Sequence, residues 1–265
     1  MTGRTATGRT ATDLALSTYL VTDPLLSEQS EQSEQSEQSG LTASGGHASV
    51  LAVIADAIAG GVSAVQIRDK TAPTRDLFDL VVAAARLTRG HCLLFVDDRV
   101  DVFLAARNAG AHVDGIHIGQ SDLPADRARE LIGPHAILGL TANTPEHLRA
   151  AHALPEGTVD YFGVGVIRPT STKANHPKPL GIEGFAALAA ATRVPCVAIG
   201  GIRLTDTAPL RAAGAAGLAV VSAICAAPSP QAATRDFVRQ WAAAPGPVSP
   251  GPGGEPAADR AGATR

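Results

Sequence analysis

The sequence predicts a single-domain (β/α)₈ TIM barrel with disordered termini, and three observations lead to that prediction. Strand-like apolar runs and helical segments alternate eight times over about 230 residues, which is typical of this barrel. Polar residues follow most of the strand-like runs, as expected where strand ends converge on one mouth. A doubly wound open sheet, the alternative, usually has fewer strands. Its glycine fingerprint is missing after the first strand, in Tyr19-Leu20-Val21-Thr22-Asp23-Pro24.

Eight runs rich in Val, Ile, Leu and Ala predict the strands, because short apolar runs between turn residues are typical of buried parallel strands. The predicted strands are Thr18–Thr22, Ala64–Arg68, Cys92–Asp97, Gly115–Ile118, Ala136–Leu140, Val159–Val166, Pro195–Ile199 and Gly217–Val221.

Eight segments between and after these runs have helical patterns, and several carry start signals. Pro124 and Pro145 suit first-turn positions, and Thr144 and Thr205 suit N-caps. The predicted helices are His47–Gly60, Arg75–Thr88, Arg99–Asn108, Pro124–Ile132, Pro145–Ala151, Ile182–Ala191, Asp206–Ala213 and Gln231–Ala243.

Low-complexity segments lie outside this pattern. Residues 1–12 are rich in Thr, Gly and Arg, and residues 244–265 form a Pro/Gly/Ala tail, so both ends are predicted to be disordered. A Glu-Gln-Ser repeat at residues 27–39 has no apolar residue to bury and predicts a flexible surface loop. The barrel domain is therefore assigned to residues 13–243.

Composition excludes several function classes. The chain is 45% hydrophobic but only 3% aromatic, and its net charge of −3 without a basic stripe argues against a nucleic-acid partner. Cys92, Cys196 and Cys225 show no metal-ligand spacing, and reduced thiols are expected. No signal peptide or membrane-spanning run is found, so a cytoplasmic protein is predicted. A homo-oligomer is compatible with the sequence.

Two of the three lysines follow strand-like runs. Lys70 comes two residues after the end of Ala64–Arg68, and Lys173 ends the segment Pro169-Thr170-Ser171-Thr172-Lys173 after the sixth strand. The chain otherwise takes its positive charge from arginine. A compact ammonium group differs from arginine in size, hydration and reach, and suits a phosphate or diphosphate.

Barrel topology brings the polar strand ends together at one mouth, where barrel active sites lie. Asp98 and Asp122, beside Arg68 and the lysines, suit a Mg²⁺ ion, which typically takes one or two carboxylates plus phosphate oxygens. Each aspartate could instead cap the following helix, but the pair beside the cations favours metal. The residues expected at the mouth are Gln66, Arg68, Asp69, Lys70, Asp97, Asp98, Gly119, Gln120, Ser121, Asp122, Thr141, Thr170, Thr172, Lys173, Gly200, Gly201 and Ser222.

Other motifs are less specific. Gly200-Gly201 suits either backbone binding of a phosphate or a tight turn. His117 alternates with apolar neighbours, which is more typical of a hydrogen-bonded barrel residue than of a catalyst. No serine–histidine–acid or cysteine–histidine arrangement is visible, so nucleophilic catalysis is not favoured.

From about residue 17 to 242, excluding the Glu-Gln-Ser tract, the chain resembles the thiamine-phosphate synthase family in motifs of matching order and spacing. The segments that carry the resemblance are Tyr19-Leu20-Val21-Thr22-Asp23, Val65-Gln66-Ile67-Arg68-Asp69-Lys70, Asp98-Arg99-Val100-Asp101, Gly115-Ile116-His117-Ile118-Gly119-Gln120-Ser121-Asp122-Leu123-Pro124, Asp160-Tyr161-Phe162-Gly163-Val164-Gly165, Pro169-Thr170-Ser171-Thr172-Lys173, Ala198-Ile199-Gly200-Gly201-Ile202 and Ala219-Val220-Val221-Ser222-Ala223-Ile224.

The resemblance implies an enzyme that joins 4-amino-2-methyl-5-pyrimidinylmethyl diphosphate to a thiazole phosphate, giving thiamine phosphate and diphosphate. It further implies that Asp98 and Asp122 bind Mg²⁺, and that Arg68, Lys70 and Lys173 neutralise the leaving diphosphate. The implied pyrimidine-diphosphate residues are Gln66, Ile67, Arg68, Asp69, Lys70, Asp97, Thr141 and Lys173. The implied thiazole-phosphate residues are Thr170, Thr172, Gly201, Val221 and Ser222.

The chain departs from the family pattern at several positions. Asp97 stands where the family usually has asparagine, Val166 and Arg168 replace a proline and an aromatic residue, and Thr141 replaces a serine. Two alternative functions stay open: a thiazole tautomerase-like enzyme that needs no Mg²⁺, and a non-catalytic barrel that binds thiamine precursors. The lysines and paired aspartates argue against both.

Overall fold

Eight parallel strands form the centre of the computed structural model, which describes residues 14–31, 45–170 and 178–246. The strands are β1 Thr18–Val21, β2 Ala64–Ile67, β3 Leu93–Asp97, β4 Gly115–Ile118, β5 Ile137–Thr141, β6 Tyr161–Gly165, β7 Cys196–Ile199 and β8 Gly217–Val220. Each strand pairs with the next, and β8 pairs with β1 in the register Thr18↔Leu218, so the sheet closes. The predicted (β/α)₈ barrel is confirmed.

Helices connect successive strands, as the predicted alternation requires, and two more follow the last strand. They are α1 Pro24–Glu31, α2 Gly45–Ala59, α3 Thr74–Thr88, α4 Val100–Asn108, α5 Ala125–Ile132, α6 Pro145–His152, α7 Gly181–Ala190, α8 Thr207–Ala212, α9 Ser222–Cys225 and α10 Pro230–Ala243. Among the described residues, no helix combines the length and the apolar character needed to cross a bilayer.

The sequence did not predict α1, and the loop predicted from Ser27 is wrong as far as Glu31, where α1 ends. The helix starts because Asp23 Oδ1 accepts hydrogen bonds from the amides of Leu25 and Leu26, at 3.1 and 3.4 Å. The rest of the Glu-Gln-Ser tract and the predicted disordered ends, apart from residues 244–246, lie outside the described residues.

Helix starts follow the predicted signals in part. Thr144 caps α6 by accepting a hydrogen bond from the amide of His147 at 3.2 Å, with Pro145 in the first turn. Pro124 occupies the N-cap position of α5, one residue earlier than predicted. Thr205 lies inside a 3₁₀ turn, Leu204–Asp206, and therefore does not cap α8.

Two apolar layers hold the barrel together. The larger lies between the sheet and the helices and includes Ile67, Phe103 and Phe185, each at most 1% exposed. The smaller fills the barrel interior and includes Tyr19 and Tyr161. Alternate residues of each strand face these two layers. This alternation decides which strand residues can reach the mouth.

The three cysteines are free thiols inside or beside these layers. Burial raises the pKa of each thiol, Cys92, Cys196 and Cys225, to about 12. The thiolate form is therefore scarce at neutral pH, which agrees with the reduced structural thiols expected from the sequence.

Candidate active site

A cavity of about 660 Å³ opens at the carboxyl ends of the strands, where the sequence predicted the mouth. Its wall contains most of the residues that the sequence singled out, although they come from all parts of the chain. The predicted site residues that line it are Gln66, Arg68, Lys70, Asp97, Asp98, Asp122, Thr141, Thr170, Gly201, Val221 and Ser222.

Two predicted site residues do not line the cavity. The Ile67 side chain is 1% exposed and packs in the layer between sheet and helices, because Gln66 and Arg68 take the inward positions around it. The Asp69 carboxylate accepts hydrogen bonds from the amides of Thr71 and Ala72, both at 2.9 Å, and so shapes the loop after β2. Thr172 and Lys173 lie outside the described residues.

Four charged residues form a compact cluster after β2 and β3. Lys70 Nζ lies 3.0 Å from Asp97 Oδ2 and forms an ion pair with Asp98, while Arg68 Nε lies 3.6 Å from Asp97 Oδ2. Half of the Lys70 side chain is exposed, so its ammonium group faces the cavity from an accessible position. Two cations and two carboxylates thus stand together on one arc of the mouth.

Asp97 is the most enclosed member of this cluster, with 9% of its side chain exposed. Its Oδ2 accepts no hydrogen bond with good geometry from the described residues, although both cations lie within ion-pair distance. The two cations compensate the charge of this buried carboxylate, as a buried charge requires. Asp97 also lines the cavity, where a ligand could contact it.

The two predicted metal aspartates are held by different means. Asp98 has φ 58°, the only positive φ of a non-glycine residue among the described residues, which turns the chain sharply after β3. Asp122 Oδ2 accepts a hydrogen bond from the amide of Gly119 at 2.7 Å. Helices α4 and α5 have Arg99 and Pro124 at their N-caps, so neither aspartate takes the capping position that was its alternative role.

The opposite arc of the mouth is built on glycine. Gly200 and Gly201 have φ 92° and 66°, which favour glycine, and a Cβ on Gly201 would lie 2.8 Å from Arg168 Cβ. The loop after β7 therefore packs directly on the loop after β6. Arg168 reinforces this contact through hydrogen bonds to the carboxylate of Asp206. It does not line the cavity described here.

His117 and Thr141 lie at the floor of the cavity. His117 Nε2 is 3.1 Å from Thr141 Oγ1, and His117 Nδ1 is 3.1 Å from the hydroxyl of Tyr161. The expectation of a hydrogen-bonded barrel histidine agrees with this geometry.

Sequence reasoning missed part of the wall formed after β5. Asn143 and His147 both line the cavity. Asn143 Oδ1 accepts a hydrogen bond from the amide of Gly165 at 3.2 Å, and His147 Nδ1 accepts one from the amide of Asn143 at 3.2 Å. Asn143 follows β5 by two residues, so the strand-end rule that selected Thr141 also predicts it when extended along the loop.

Among the described residues, no group of three or more His, Cys, Asp or Glu side chains could hold a metal ion by itself. A Mg²⁺ ion needs fewer protein ligands when substrate phosphate oxygens and water complete its shell. The two carboxylates at the mouth, Asp98 and Asp122, are hard oxygen donors of the kind that Mg²⁺ prefers, so the donor set is compatible with the predicted ion.

A family model described as thiamine monophosphate synthase matches residues 40–224, more than half of the chain. The chain belongs to the thiamine monophosphate synthase family. This match covers the segments after β2 to β8 that form the cavity wall.

Individual family relatives agree with the assignment. The chain is 40% identical over 198 residues to thiamine-phosphate synthase of Corynebacterium efficiens, covering 75% of this chain and 91% of that protein. It is 43% identical over 195 residues to thiamine-phosphate synthase of Moorella thermoacetica, covering 73% and 89%. A solved structure of thiamine phosphate pyrophosphorylase from Pyrococcus furiosus superimposes with a TM-score of 0.69 at 30% identity, covering 86% and 96%.

The prediction of a family enzyme that acts on small molecules is thereby confirmed, as is the prediction of a transferase of thiamine biosynthesis that forms thiamine phosphate. Membership of the family does not assign roles to single side chains.

Proposed function

We propose that this chain joins the pyrimidinylmethyl group of a pyrimidine diphosphate to the ring nitrogen of a thiazole phosphate, and releases diphosphate. The observation that carries the proposal is the division of the cavity wall into two arcs. Cations and carboxylates line the arc from β2 to β4, and glycine and hydroxyl groups line the arc from β6 to β8. Two substrates that each carry phosphate need two such places.

The diphosphate group of the pyrimidine substrate fits the arc from β2 to β4, which we call the charged arc. Arg68 and Lys70 face the cavity, and a diphosphate would replace the carboxylates that now hold Lys70. Gln66 and Thr141, which line the floor, would hold the pyrimidine ring. The Asp97 carboxylate, which lines the cavity, would accept a hydrogen bond from the amine of the pyrimidine, since a carboxylate can accept but not donate. Lys173 is assigned to this substrate by the family resemblance alone.

The thiazole phosphate fits the arc from β6 to β8, which we call the glycine arc. Gly201 and Ser222 bring backbone amides and a hydroxyl group to the cavity, and Thr170 adds a second hydroxyl group. Phosphate groups in these barrels are often held by the loops after the last strands. Val221 lines the same wall, and Thr172 is assigned by resemblance.

Bond exchange needs little help from acids or bases. The bond between the pyrimidinylmethyl carbon and the diphosphate oxygen breaks, and both electrons leave with the diphosphate. The thiazole nitrogen then forms the new bond with its lone pair, and because it carries no proton, no general base is required. Arg68 and Lys70 would stabilise the negative charge that develops on the leaving group, which is often the largest catalytic contribution.

Asp98 and Asp122 would hold the Mg²⁺ ion beside these cations. When bound, the ion would supply positive charge to oxygens of the diphosphate. The protein's own part is to aim both carboxylates at the cavity, and the hydrogen bond from the Gly119 amide to Asp122 Oδ2 at 2.7 Å contributes to that. A tautomerase-like reaction would need neither this pair nor Lys70.

The test is an incubation of the purified protein with pyrimidine diphosphate and thiazole phosphate, in Mg²⁺ or in EDTA, with mass spectrometry of the products. We expect thiamine phosphate and diphosphate in equal amounts, with Mg²⁺ only. Asp98→Asn should lower the rate at a fixed Mg²⁺ concentration, whereas Asp101→Asn, on the surface, should not. Binding of both substrates without product would replace the proposal by a sensor function, and product formation in EDTA would remove the metal.

A further inference from the structure

A chain of hydrogen-bonded side chains crosses the barrel interior beneath the cavity. Gln66 Nε2 donates to the Tyr19 hydroxyl at 2.8 Å, and the Tyr19 and Tyr161 hydroxyls are 3.0 Å apart. The Tyr161 hydroxyl is 3.1 Å from His117 Nδ1, and His117 Nε2 is 3.1 Å from Thr141 Oγ1. We call these five side chains the barrel relay. Its two ends, Gln66 and Thr141, line the cavity.

Glycines on β5 and β6 leave room for the side chains of the relay. A Cβ on Gly139 would overlap the ring of Tyr161 and lie 2.5 Å from His117 Nδ1, and a Cβ on Gly163 would lie 2.8 Å from His117 Cε1. Phe95 packs on both tyrosine rings, with centroid distances of 5.3 Å to Tyr19 and 5.8 Å to Tyr161. Absent side chains on β5 and β6 therefore create the space that the relay occupies.

The distances along the relay allow its hydrogen atoms to run in one direction. The Tyr19 hydroxyl accepts from Gln66, and either hydroxyl could donate in the contact between Tyr19 and Tyr161. In one continuous arrangement, the hydrogen of Tyr19 goes to Tyr161 and the hydrogen of Tyr161 goes to His117 Nδ1. In that arrangement, a neutral His117 carries its hydrogen on Nε2 and donates it to Thr141 Oγ1. The hydroxyl hydrogen of Thr141 is then left to donate toward the cavity, and Gln66 keeps Oε1 as an acceptor.

Burial favours the protonated form of both phenols. It raises the pKa of Tyr19, and it raises the pKa of Tyr161 well above its ordinary value, where the nearby Tyr19 adds to the shift. Both hydroxyls therefore remain neutral and keep their hydrogens throughout the range in which an enzyme works.

We propose that Tyr19, Tyr161 and His117 are positioning residues that set Gln66 as a hydrogen-bond acceptor and Thr141 as a donor toward the pyrimidine ring. This inference rests on the proposed function, in which Gln66 and Thr141 hold the pyrimidine diphosphate. An aminopyrimidine suits the pair, because its amine offers hydrogens and its ring nitrogens accept them. The relay connects the two contacts, and reversing the hydrogen bond between Tyr161 and His117 would turn Thr141 from a donor into an acceptor toward the cavity.

The test is a double-mutant cycle on binding of pyrimidine diphosphate, measured by calorimetry without the thiazole substrate. Tyr161→Phe removes one hydroxyl from the middle of the relay and keeps the ring. We expect it to weaken binding about five- to tenfold in the wild-type and Thr141→Ser backgrounds, where the hydroxyl at 141 is retained. In the Thr141→Val background the same change should cost less than about twofold, because its effect acts through that hydroxyl.

Phe95→Leu is the matched control, since Phe95 packs on the same rings but makes none of the relay's hydrogen bonds. Phe95→Leu should lower the thermal stability of the protein. Its effect on binding of pyrimidine diphosphate should be the same with and without Thr141→Val. Binding of thiazole phosphate should change in neither Tyr161→Phe nor Phe95→Leu. If Tyr161→Phe weakens binding of pyrimidine diphosphate equally in the Thr141→Val and Thr141→Ser backgrounds, the proposal is overturned, even if the wild-type enzyme forms thiamine phosphate normally.

A second measurement does not depend on the stability of a core variant. Long-range ¹H–¹⁵N spectra of the wild-type protein with ¹⁵N-labelled histidine report which ring nitrogen of His117 carries hydrogen, with His117→Gln used only for assignment. The relay requires a neutral ring with hydrogen on Nε2. Hydrogen on Nδ1 would make His117 Nε2 accept from Thr141 and would contradict the donor role given to Thr141.

Discussion

Arg168 and Asp206 form a bidentate ion pair that joins the loop after β6 to the loop after β7. Arg168 Nε lies 2.9 Å from Asp206 Oδ2, and a terminal guanidinium nitrogen lies 2.6 Å from Oδ1. Asp206 is 2% exposed and also accepts a hydrogen bond from the amide of Arg203 at 3.0 Å. Arg168 thus acts on the site from behind the Gly200-Gly201 turn.

Removing this pair should loosen the glycine arc. We expect Arg168→Ala to raise the KM for thiazole phosphate about three- to tenfold, because a small displacement of the loop spoils several contacts at once. The KM for pyrimidine diphosphate should stay nearly constant. Steady-state kinetics with each substrate varied in turn would measure both. Arg239→Ala, which removes a surface pair with Asp236 on α10, is the matched control.

The same pair should give the protein a pH-dependent stability. The hydrogen bonds from Arg168 lower the pKa of Asp206, so the ionised carboxylate stabilises the fold at pH values above the pKa of an unfolded aspartate, about 4. This contribution is lost as the pH falls through the lower, folded pKa. Urea unfolding of the wild type and Arg168→Ala should show a stability gap that is constant near neutrality and narrows in acid. A gap that widens in acid would contradict this.

Lysine substitutions offer an internal comparison, because the chain has only Lys70, Lys173 and Lys178. Lys70→Met and Lys173→Met should each lower kcat about 100-fold, the size expected when one stabilising group at a leaving anion is lost. Lys178→Met should leave kcat unchanged, since Lys178 does not line the cavity. Circular dichroism of the three variants would check the fold. Near-normal turnover of either of the first two variants would remove that lysine from the mechanism.

Asp97 competes with the substrate for Lys70, because its Oδ2 lies 3.0 Å from the ammonium group. Asp97→Asn removes one negative charge from the charged arc and weakens the ion pairing that holds Lys70. We expect the KM for pyrimidine diphosphate to fall about two- to fivefold at saturating Mg²⁺, with the largest gain at low ionic strength. A rise in this KM would mean that the carboxylate makes a contact with substrate that an amide cannot replace.

Gly201 should be intolerant of a side chain for two separate reasons. Its φ of 66° disfavours other residues, and a Cβ would lie 2.8 Å from Arg168 Cβ and 2.9 Å from Pro169 O. Gly201→Ala should therefore weaken thiazole phosphate binding and destabilise the protein. Gly90→Ala isolates the first reason, because Gly90 has φ 78° and open space around it. It should cost only about 1–2 kcal/mol in urea unfolding and leave binding intact.

Much of the barrel could be predicted because each element carries its own local pattern. Strand and helix bounds agree closely with the predictions, and the strand-end rule places Arg68, Asp98 and Ser222 in one cavity. Assigning Ile67 to the site overlooked strand alternation, which turns it away from the barrel interior. Helix α1 was missed because its polar repeat has no apolar periodicity.

Other features could not be predicted from local sequence. The relay joins Tyr19 to Tyr161, whose hydroxyls meet only when the closed barrel brings β1 and β6 face to face. The ion pair of Arg168 with Asp206 likewise depends on how two loops cross. Such contacts follow from three-dimensional closure, and only the geometry of the barrel reveals them.

Closure through Thr18 and Leu218 also has a consequence for the order of events during synthesis. A ribosome makes the strands in sequence, so all residues of the charged arc, from β2 to β4, are synthesised long before β8 emerges to close the sheet. Contacts so distant along the chain form slowly. A nascent chain halted before Gly217 would contain Lys70, Asp97 and Asp98, but the closed cavity around them would not yet exist. Capacity to bind both substrates should therefore arise abruptly, at the last strand.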